Sequence, residues 1–150
     1  MQWDFIVGNG AQFVGAQNTH QTIIDFPVAG TYVLQFSETN QYGCLGAVIL
    51  DIVVHSLPAP SFSYETICVG QPISFQNTTT ATSVLELIQW ELNGLTDTSY
   101  NISSTFLQEG LYPISLYVED EWGCASTYSE VIEVHSNPES DFYFTPSEPS

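Results

Sequence analysis

Three consecutive carboxylates, Glu119, Asp120 and Glu121, are the side chains in this sequence best placed to hold a metal ion together. The chain has 17 acidic residues and no lysine or arginine, so its formal net charge is −17 and no Lys or Arg ion pair can neutralise them. Calcium is a hard cation that binds carboxylate oxygens. The cluster therefore predicts either a calcium site or an acidic loop neutralised by solvent alone, which is the commoner case.

Other chemistry has little support in the sequence. There is no G-x-S-x-G nucleophile motif, no H-E-x-x-H motif, no phosphate-binding loop and no C-x-x-C pair for zinc. The absence of lysine and arginine argues against nucleic acids and anionic membrane surfaces, since both require clustered cations. No run approaches the roughly 18 apolar residues of a membrane helix. We therefore expect no enzyme, no nucleic-acid partner and no direct membrane insertion.

The potential functional residues lie within an internal repeat. Residues 30–44 (GTYVLQFSETNQYGC) correspond to residues 110–124 (GLYPISLYVEDEWGC) at a constant spacing of 80. A repeat at a fixed period predicts one structural unit used in series. The two histidines related by this spacing are therefore expected to be structural. The pairs at this spacing are Gly30/Gly110, Tyr32/Tyr112, Tyr42/Trp122, Cys44/Cys124 and His55/His135.

The spacing of strand and turn signals predicts antiparallel β-sandwiches. Residues 61–137 contain about seven short alternating segments separated by turns, as a sandwich requires. Residues 1–57 match only the back part of that unit, with Trp3 in the place of Trp90 and a loop seven residues longer before Gly30. Residues 58–60 (PAP) form a predicted linker, and residues 138–150 a further linker and the first strand of a next unit. We expect Trp3, Trp90, Tyr32 and Tyr112 to be structural residues.

Glu38 breaks the apolar alternation of its strand, because it stands where the second repeat has Val118. A buried glutamate without a Lys or Arg partner would be costly. Its position predicts either a bulge in the strand or a protonated or metal-bound partner for the carboxylate.

Several short motifs resemble those of the PKD domain. They are Trp3-Asp4-Phe5 with the following Gly-Asn-Gly, and the later segment 26–34 (FPVAGTYVL). This resemblance implies tandem immunoglobulin-like β-sandwiches, the first of them incomplete. The aromatic-Gly-Cys turn and residues 68–72 (CVGQP) are similar to PKD-like tandem units of very large Bacteroidota cell-surface proteins, including gliding-motility adhesins exported by the type 9 secretion system.

The three cysteines suggest a disulfide within the complete unit. Cys68 precedes the second strand and Cys124 precedes the last, and such points can be neighbours in a sandwich. We predict a Cys68–Cys124 disulfide, with the partner of Cys44 in the missing front of the first unit. Buried free thiols are the alternative, since sequence does not fix connectivity.

The sequence thus predicts a structural and adhesive repeat module of an extracellular stalk or filament on the outer-membrane exterior. Its partners would be neighbouring PKD-like modules, surface polysaccharide, or the secretion and motility machinery. The alternative is an accessory spacer or carbohydrate-binding module of a secreted hydrolase. In that case exposed aromatic residues such as Tyr117 and Trp122 would stack on sugars.

Overall fold

The alternation of apolar and polar residues favours strands, because successive side chains of a strand point to opposite faces of a sheet. The computed structural model describes residues 1–142, and every regular element in that range is a β-strand. The all-β sandwich prediction is therefore confirmed. No helix in this described part has the length and hydropathy needed to cross a bilayer. The predicted strand of a next unit, within residues 138–150, lies mostly outside the described residues.

Residues 61–137, here called the second module, form two sheets that face each other. The strands are β6 (Phe62–Ser63), β7 (Ile67–Cys68), β8 (Pro72–Asn77), β9 (Leu85–Leu92), β10 (Leu95–Asp97), β11 (Ile102–Thr105), β12 (Gly110–Asp120) and β13 (Ala125–His135). The larger sheet has the order β10-β9-β12-β13-β7 and the smaller one the order β11-β8-β6. All neighbours are antiparallel except β7 and β13, which are parallel.

The core of the second module lies between these sheets. Trp90 of the larger sheet and Phe75 of the smaller one are both fully buried, with ring centroids 6.5 Å apart. Full burial of one large apolar side chain stabilises a fold by about 1.5–3 kcal/mol. The alternating residues Ile114, Leu116 and Val118 of β12 complete the layer beneath them. The two apolar faces therefore hold the sandwich together.

Residues 1–57, the first module, repeat the centre of this arrangement. The strands are β1 (Gln2–Val7), β2 (Gln12–Phe13), β3 (Ile24–Asp25), β4 (Gly30–Thr39) and β5 (Leu45–Val54). The main sheet has the order β1-β4-β5, which corresponds to β9-β12-β13, and a second small pair is formed by β2 and β3. β1 has a bulge between Phe5 and Val7, and β4 pairs with β5 over its full length.

The longer loop of the first module covers one end of its sheet. Phe13 of β2 packs on Phe5 with a centroid distance of 4.6 Å, and Phe26 packs on Tyr32 at 4.8 Å. β2 pairs with β3 much as β8 pairs with β11 in the second module. The seven extra residues thus supply a short substitute for one strand of the opposing sheet.

The other end of this face is open. Val48 and Leu50 lie on the same face of β5 as Ile52, yet 59% and 54% of their surfaces are exposed. Glu38 lies at this open end, is exposed, and pairs regularly with Gly46. The expectation of a bulge or a special partner at Glu38 was therefore wrong, because no opposing sheet within the described residues buries this position.

Candidate functional site: the acidic turns and the junction between the modules

Both long hairpins close with the same side-chain-capped turn. The Oδ1 atom of Asp120 accepts hydrogen bonds from the backbone N–H groups of Trp122 (3.0 Å) and Cys124 (2.9 Å). Asn40 does the same for Tyr42 (2.9 Å) and Cys44 (3.0 Å). Aspartate and asparagine are suited to such turns because their short side chains accept from nearby backbone N–H groups.

The glycine of each turn takes a conformation that a side chain would oppose. Gly43 has φ = +79° and Gly123 has φ = +76°, in the left-handed region where glycine is unstrained. The N–H of each glycine donates to the carbonyl of the Asn or Asp residue, at 3.0 Å and 2.9 Å. The repeated aromatic-Gly-Cys motif is therefore the sequence signature of this turn.

Asp120 is fully buried and serves as the centre of the second turn. The Ser83 hydroxyl donates to its Oδ2 atom, while the two backbone N–H groups donate to Oδ1. The Ser83 hydrogen bond lowers the pKa of Asp120, and the backbone donors and nearby His55 lower it further, whereas burial opposes them. The carboxylate is therefore held charged by donors within the protein.

The structure does not gather the three predicted calcium ligands Glu119, Asp120 and Glu121 into one cluster, and calcium binding here stays a prediction. The Tyr117 hydroxyl donates to Glu119 at 2.6 Å, and the Val84 N–H donates to Glu121 at 3.3 Å. Successive strand residues point to opposite faces, so consecutive carboxylates do not converge. No group of three His, Cys, Asp or Glu side chains within residues 1–142 could hold a metal ion. The neutralising groups are instead hydroxyl and N–H donors.

The predicted Cys68–Cys124 disulfide was also wrong. Cys68 pairs with His135 at the end of β13, whereas Cys124 precedes Ala125 at its beginning. Ten residues of extended strand separate these points by about 33 Å, and a disulfide requires Cα atoms within about 7 Å. Cys44, Cys68 and Cys124 are all free thiols, and Cys44 is exposed.

The four predicted structural residues each make a polar contact besides their packing. The Tyr32 hydroxyl donates to the Val28 carbonyl at 2.6 Å, and Tyr112 donates to Gln108 at 3.0 Å. Both acceptors lie four residues upstream, as in the tyrosine corner of immunoglobulin-like domains. The indole N–H groups of Trp3 and Trp90 donate to carbonyls of Thr19 (2.9 Å) and Ser99 (3.1 Å).

A second carboxylate, Glu130, is satisfied by phenols. Tyr64 donates to its Oε1 at 2.8 Å and Tyr128 to its Oε2 at 3.3 Å. Burial, followed by the hydrogen bond and the charge of Glu130, raises the pKa of Tyr64 to about 12. The chain thus pairs acids with tyrosine and serine hydroxyls where other proteins would use lysine or arginine.

The junction between the modules contains the contact that sequence reasoning missed. His55, just after β5, stacks flat on Trp122 of the second module, with centroids 4.4 Å apart and planes at 12°. The Ser56 hydroxyl lies 2.6 Å from that of Thr82, and the backbones of Ala59 and Thr80 pair at 2.8 Å and 3.1 Å.

The predicted linker, residues 58–60, therefore contacts the second module directly. Pro58 is buried, and Ala59 extends the ladder that β6 forms with β8. A short linker with stacking and hydrogen-bonded contacts restricts bending between modules. The boundaries at residues 57–61 remain predictions.

Two aromatic residues suggested as sugar platforms have other partners. Tyr117 is half-buried and bound to Glu119, and Trp122 carries the His55 ring on its face. The sequence predicted both turns but not their side-chain caps, and the signal for the caps was the Asn40/Asp120 pair, which keeps the spacing of 80. The site as a whole is built to hold strands and modules in place.

The chain is similar to known proteins at the level of fold. Its sequence matches no protein-family model and no curated protein. Among solved structures, the PKD1 domain of Vibrio anguillarum Epp is similar at 23% identity, covering 56% of this chain and 100% of that chain, with a TM-score of 0.50. A structure of carbohydrate-binding modules from the β-sandwich superfamily is similar at 21% identity, covering 55% of this chain and 36% of that chain, with a TM-score of 0.51. The chain therefore has a PKD-like, immunoglobulin-like β-sandwich fold.

Proposed function

We propose that this chain is a structural and adhesive repeat module of an extracellular stalk or filament on the cell surface. The observation that carries the proposal is the junction, where His55 stacks on Trp122 and the linker backbone pairs with the second module. Modules joined in this way extend in one direction and resist bending. Such a role requires no reacting group, and we expect no enzymatic activity.

The composition supports an exposed location. With no lysine or arginine, the described modules offer no cleavage site to trypsin-like proteases. The hydrogen bonds to the buried turn carboxylate and the phenol–carboxylate pairs stabilise the fold without ion pairs that salt would weaken. The resemblance to PKD-like units of Bacteroidota adhesins adds export by the type 9 secretion system and a part in gliding motility to the proposal, with surface polysaccharide or the motility machinery as partners.

The proposal is tested by the size and surface exposure of the parent polypeptide. Intact cells would be treated with a Glu-specific protease, and the released peptides would be mapped beside those from lysed cells. We expect peptides of this chain to be released from intact cells and to belong to a very large polypeptide with many such modules. Release only after lysis, or a modest parent chain, would contradict the proposal.

A second candidate is an accessory spacer or carbohydrate-binding module of a secreted hydrolase. It is favoured by the similarity to a structure of carbohydrate-binding modules and by the exposed rings of Tyr42, Tyr100 and Trp122, the last of which keeps 58% of its surface exposed beside His55. A parent chain with one or two modules beside a catalytic domain would support it. Affinity electrophoresis of the 150-residue chain in gels with soluble polysaccharides would then test binding, with Tyr100→Ala as the first variant.

A further inference from the structure

The junction contact joins a histidine at the end of a strand to an aromatic residue in a hairpin turn. Each of these two features occurs a second time in the chain. We propose that the histidine-on-aromatic contact is a general docking element, so that Tyr42 receives a strand-end histidine and His135 stacks on a turn aromatic of another module. A second copy of this chain carries both complementary halves and is therefore the partner that fits these surfaces. The inference rests on the proposed function, in which such modules work in series.

The turn of the first module presents Tyr42 as the second turn presents Trp122. Asn40 makes the same two backbone hydrogen bonds as Asp120, and Gly43 has nearly the same φ as its counterpart. Tyr42 is 81% exposed, whereas Trp122 carries the His55 ring. The first turn thus repeats the turn geometry of the junction, whereas the contacts that Thr80 and Thr82 add there have no counterpart in the first module.

The strand-end histidine is repeated as well. His55 follows β5 directly and His135 is the last residue of β13, so each lies about ten residues beyond its turn. His135 has half of its side-chain surface exposed, and Glu133 is its nearest acidic neighbour, at 3.9 Å. The aromatic and the histidine therefore lie at opposite ends of each module. A contact of one end with the other is heterologous and repeats head to tail.

The chemistry of the contact suits this chain. Stacked rings at centroid distances of 4.5–7 Å attract each other by about 0.5–1.5 kcal/mol beyond their buried area, and a protonated imidazole over an aromatic face adds a cation–π attraction. Histidine is the only side chain here that can supply a cation, because lysine and arginine are absent. Two copies with a net charge of −17 repel each other, so the contact is best measured at about 1 M salt, where the Debye length is about 3 Å.

Cysteine trapping tests the proposal with the 150-residue chain. Cys44, Cys68 and Cys124 are first replaced by serine, and Gln41→Cys is combined with Ser136→Cys, which places the thiols beside Tyr42 and His135 and leaves both rings in place. We expect mild oxidation to give a ladder of dimers and higher oligomers. Its yield should exceed that of the same chain with His135→Ala about tenfold, the ratio that a preference of about 1.4 kcal/mol produces. The control keeps both cysteines and removes only the histidine ring.

The existing junction provides an internal reference. Ser56→Cys with Glu121→Cys, beside the His55–Trp122 contact, should close within one chain and give no ladder. A ladder no stronger than that of the His135→Ala control, while circular dichroism shows a folded chain, would overturn the docking inference and leave the proposed function untouched. Failure of the reference pair to close would instead contradict the junction on which both proposals rest.

Discussion

The two modules have the same central sheet, but only the second is covered by an opposing sheet along its whole face. Trp90 is fully buried beneath that cover, while the corresponding Trp3 is partly exposed. The turns and the tyrosine hydrogen bonds are nevertheless the same in both modules. The turns and the tyrosine hydrogen bonds are therefore determined by local sequence, which the two repeats share. Burial of the core depends instead on strands that are distant in sequence.

The largest effect that would sharpen this comparison comes from truncating the two tryptophans. Trp90→Ala removes a fully buried side chain and should cost about 3–5 kcal/mol of unfolding free energy. Trp3→Ala should cost less, about 1–3 kcal/mol, because the ring is already partly hydrated. Urea unfolding followed by the amide NMR signals of each module would measure both losses separately. Equal losses would show that the first module is as tightly packed as the second.

The next largest effect on stability should come from removing the charge of Asp120, and this effect depends on pH. Its folded-state pKa is lowered, so its stabilisation is present above the unfolded value of about 3.9 and is lost as the pH falls through the folded value. Asp120→Asn keeps the turn acceptor, as Asn40 shows, but loses the charge that Ser83 binds. We expect Asp120→Asn to have a lower urea midpoint than wild type at neutral pH. The two midpoints should become nearly equal at a pH low enough to protonate Asp120 in the wild-type chain. A constant difference across that range would refute the electrostatic explanation.

A smaller effect should distinguish the two tyrosine corners. Tyr32→Phe leaves the Val28 carbonyl without its donor beneath a fully buried ring, and should cost about 1–2 kcal/mol. Tyr112→Phe removes a more exposed and longer hydrogen bond, to Gln108, and should cost about 0.5–1 kcal/mol. Thermal unfolding of the two variants would give the order. The reverse order would mean that cover by the second sheet outweighs the local hydrogen bond.

No effect at all is expected from reducing agents. Cys44, Cys68 and Cys124 are free, so alkylation without reductant, after unfolding in urea, should modify all three and leave the intact mass unchanged by prior reduction. The urea midpoint should also be the same with and without reductant. A mass two units lower per bridge, or protection of two thiols, would contradict the topology described for β13.

The fold class, the repeat and the turns could be read from the sequence because they depend on local pattern. Gly-x-Tyr before a strand and aromatic-Gly-Cys after it mark the same hairpin twice. Pro113 lies in the central strand β12, one residue beyond the residues that pair with β9, where its missing N–H costs little.

The errors concern contacts between distant residues. The parallel pairing of Cys68 with His135 places that cysteine at the far end of β13, and no spacing in the sequence reveals it. The calcium hypothesis counted carboxylates but could not include the backbone N–H and hydroxyl donors that the fold supplies. The contact of His55 with Trp122 depends on the relative placement of two modules, which local pattern does not encode.

The parallel pairing of β7 with β13 has a mechanical consequence. In the chain, β7 is reached from the amino-terminal side and β13 leads away to the carboxyl-terminal side, and the pairs Ile67–Val134 and Cys68–His135 hold them together. Because the two strands run in the same direction, a pull on the chain ends drags them past each other instead of peeling them apart. Their hydrogen bonds are then loaded together in shear. Once the short strand β6, which precedes β7 and pairs with β8, has separated, a stretched second module bears tension at β7 and β13 before its hairpins can open.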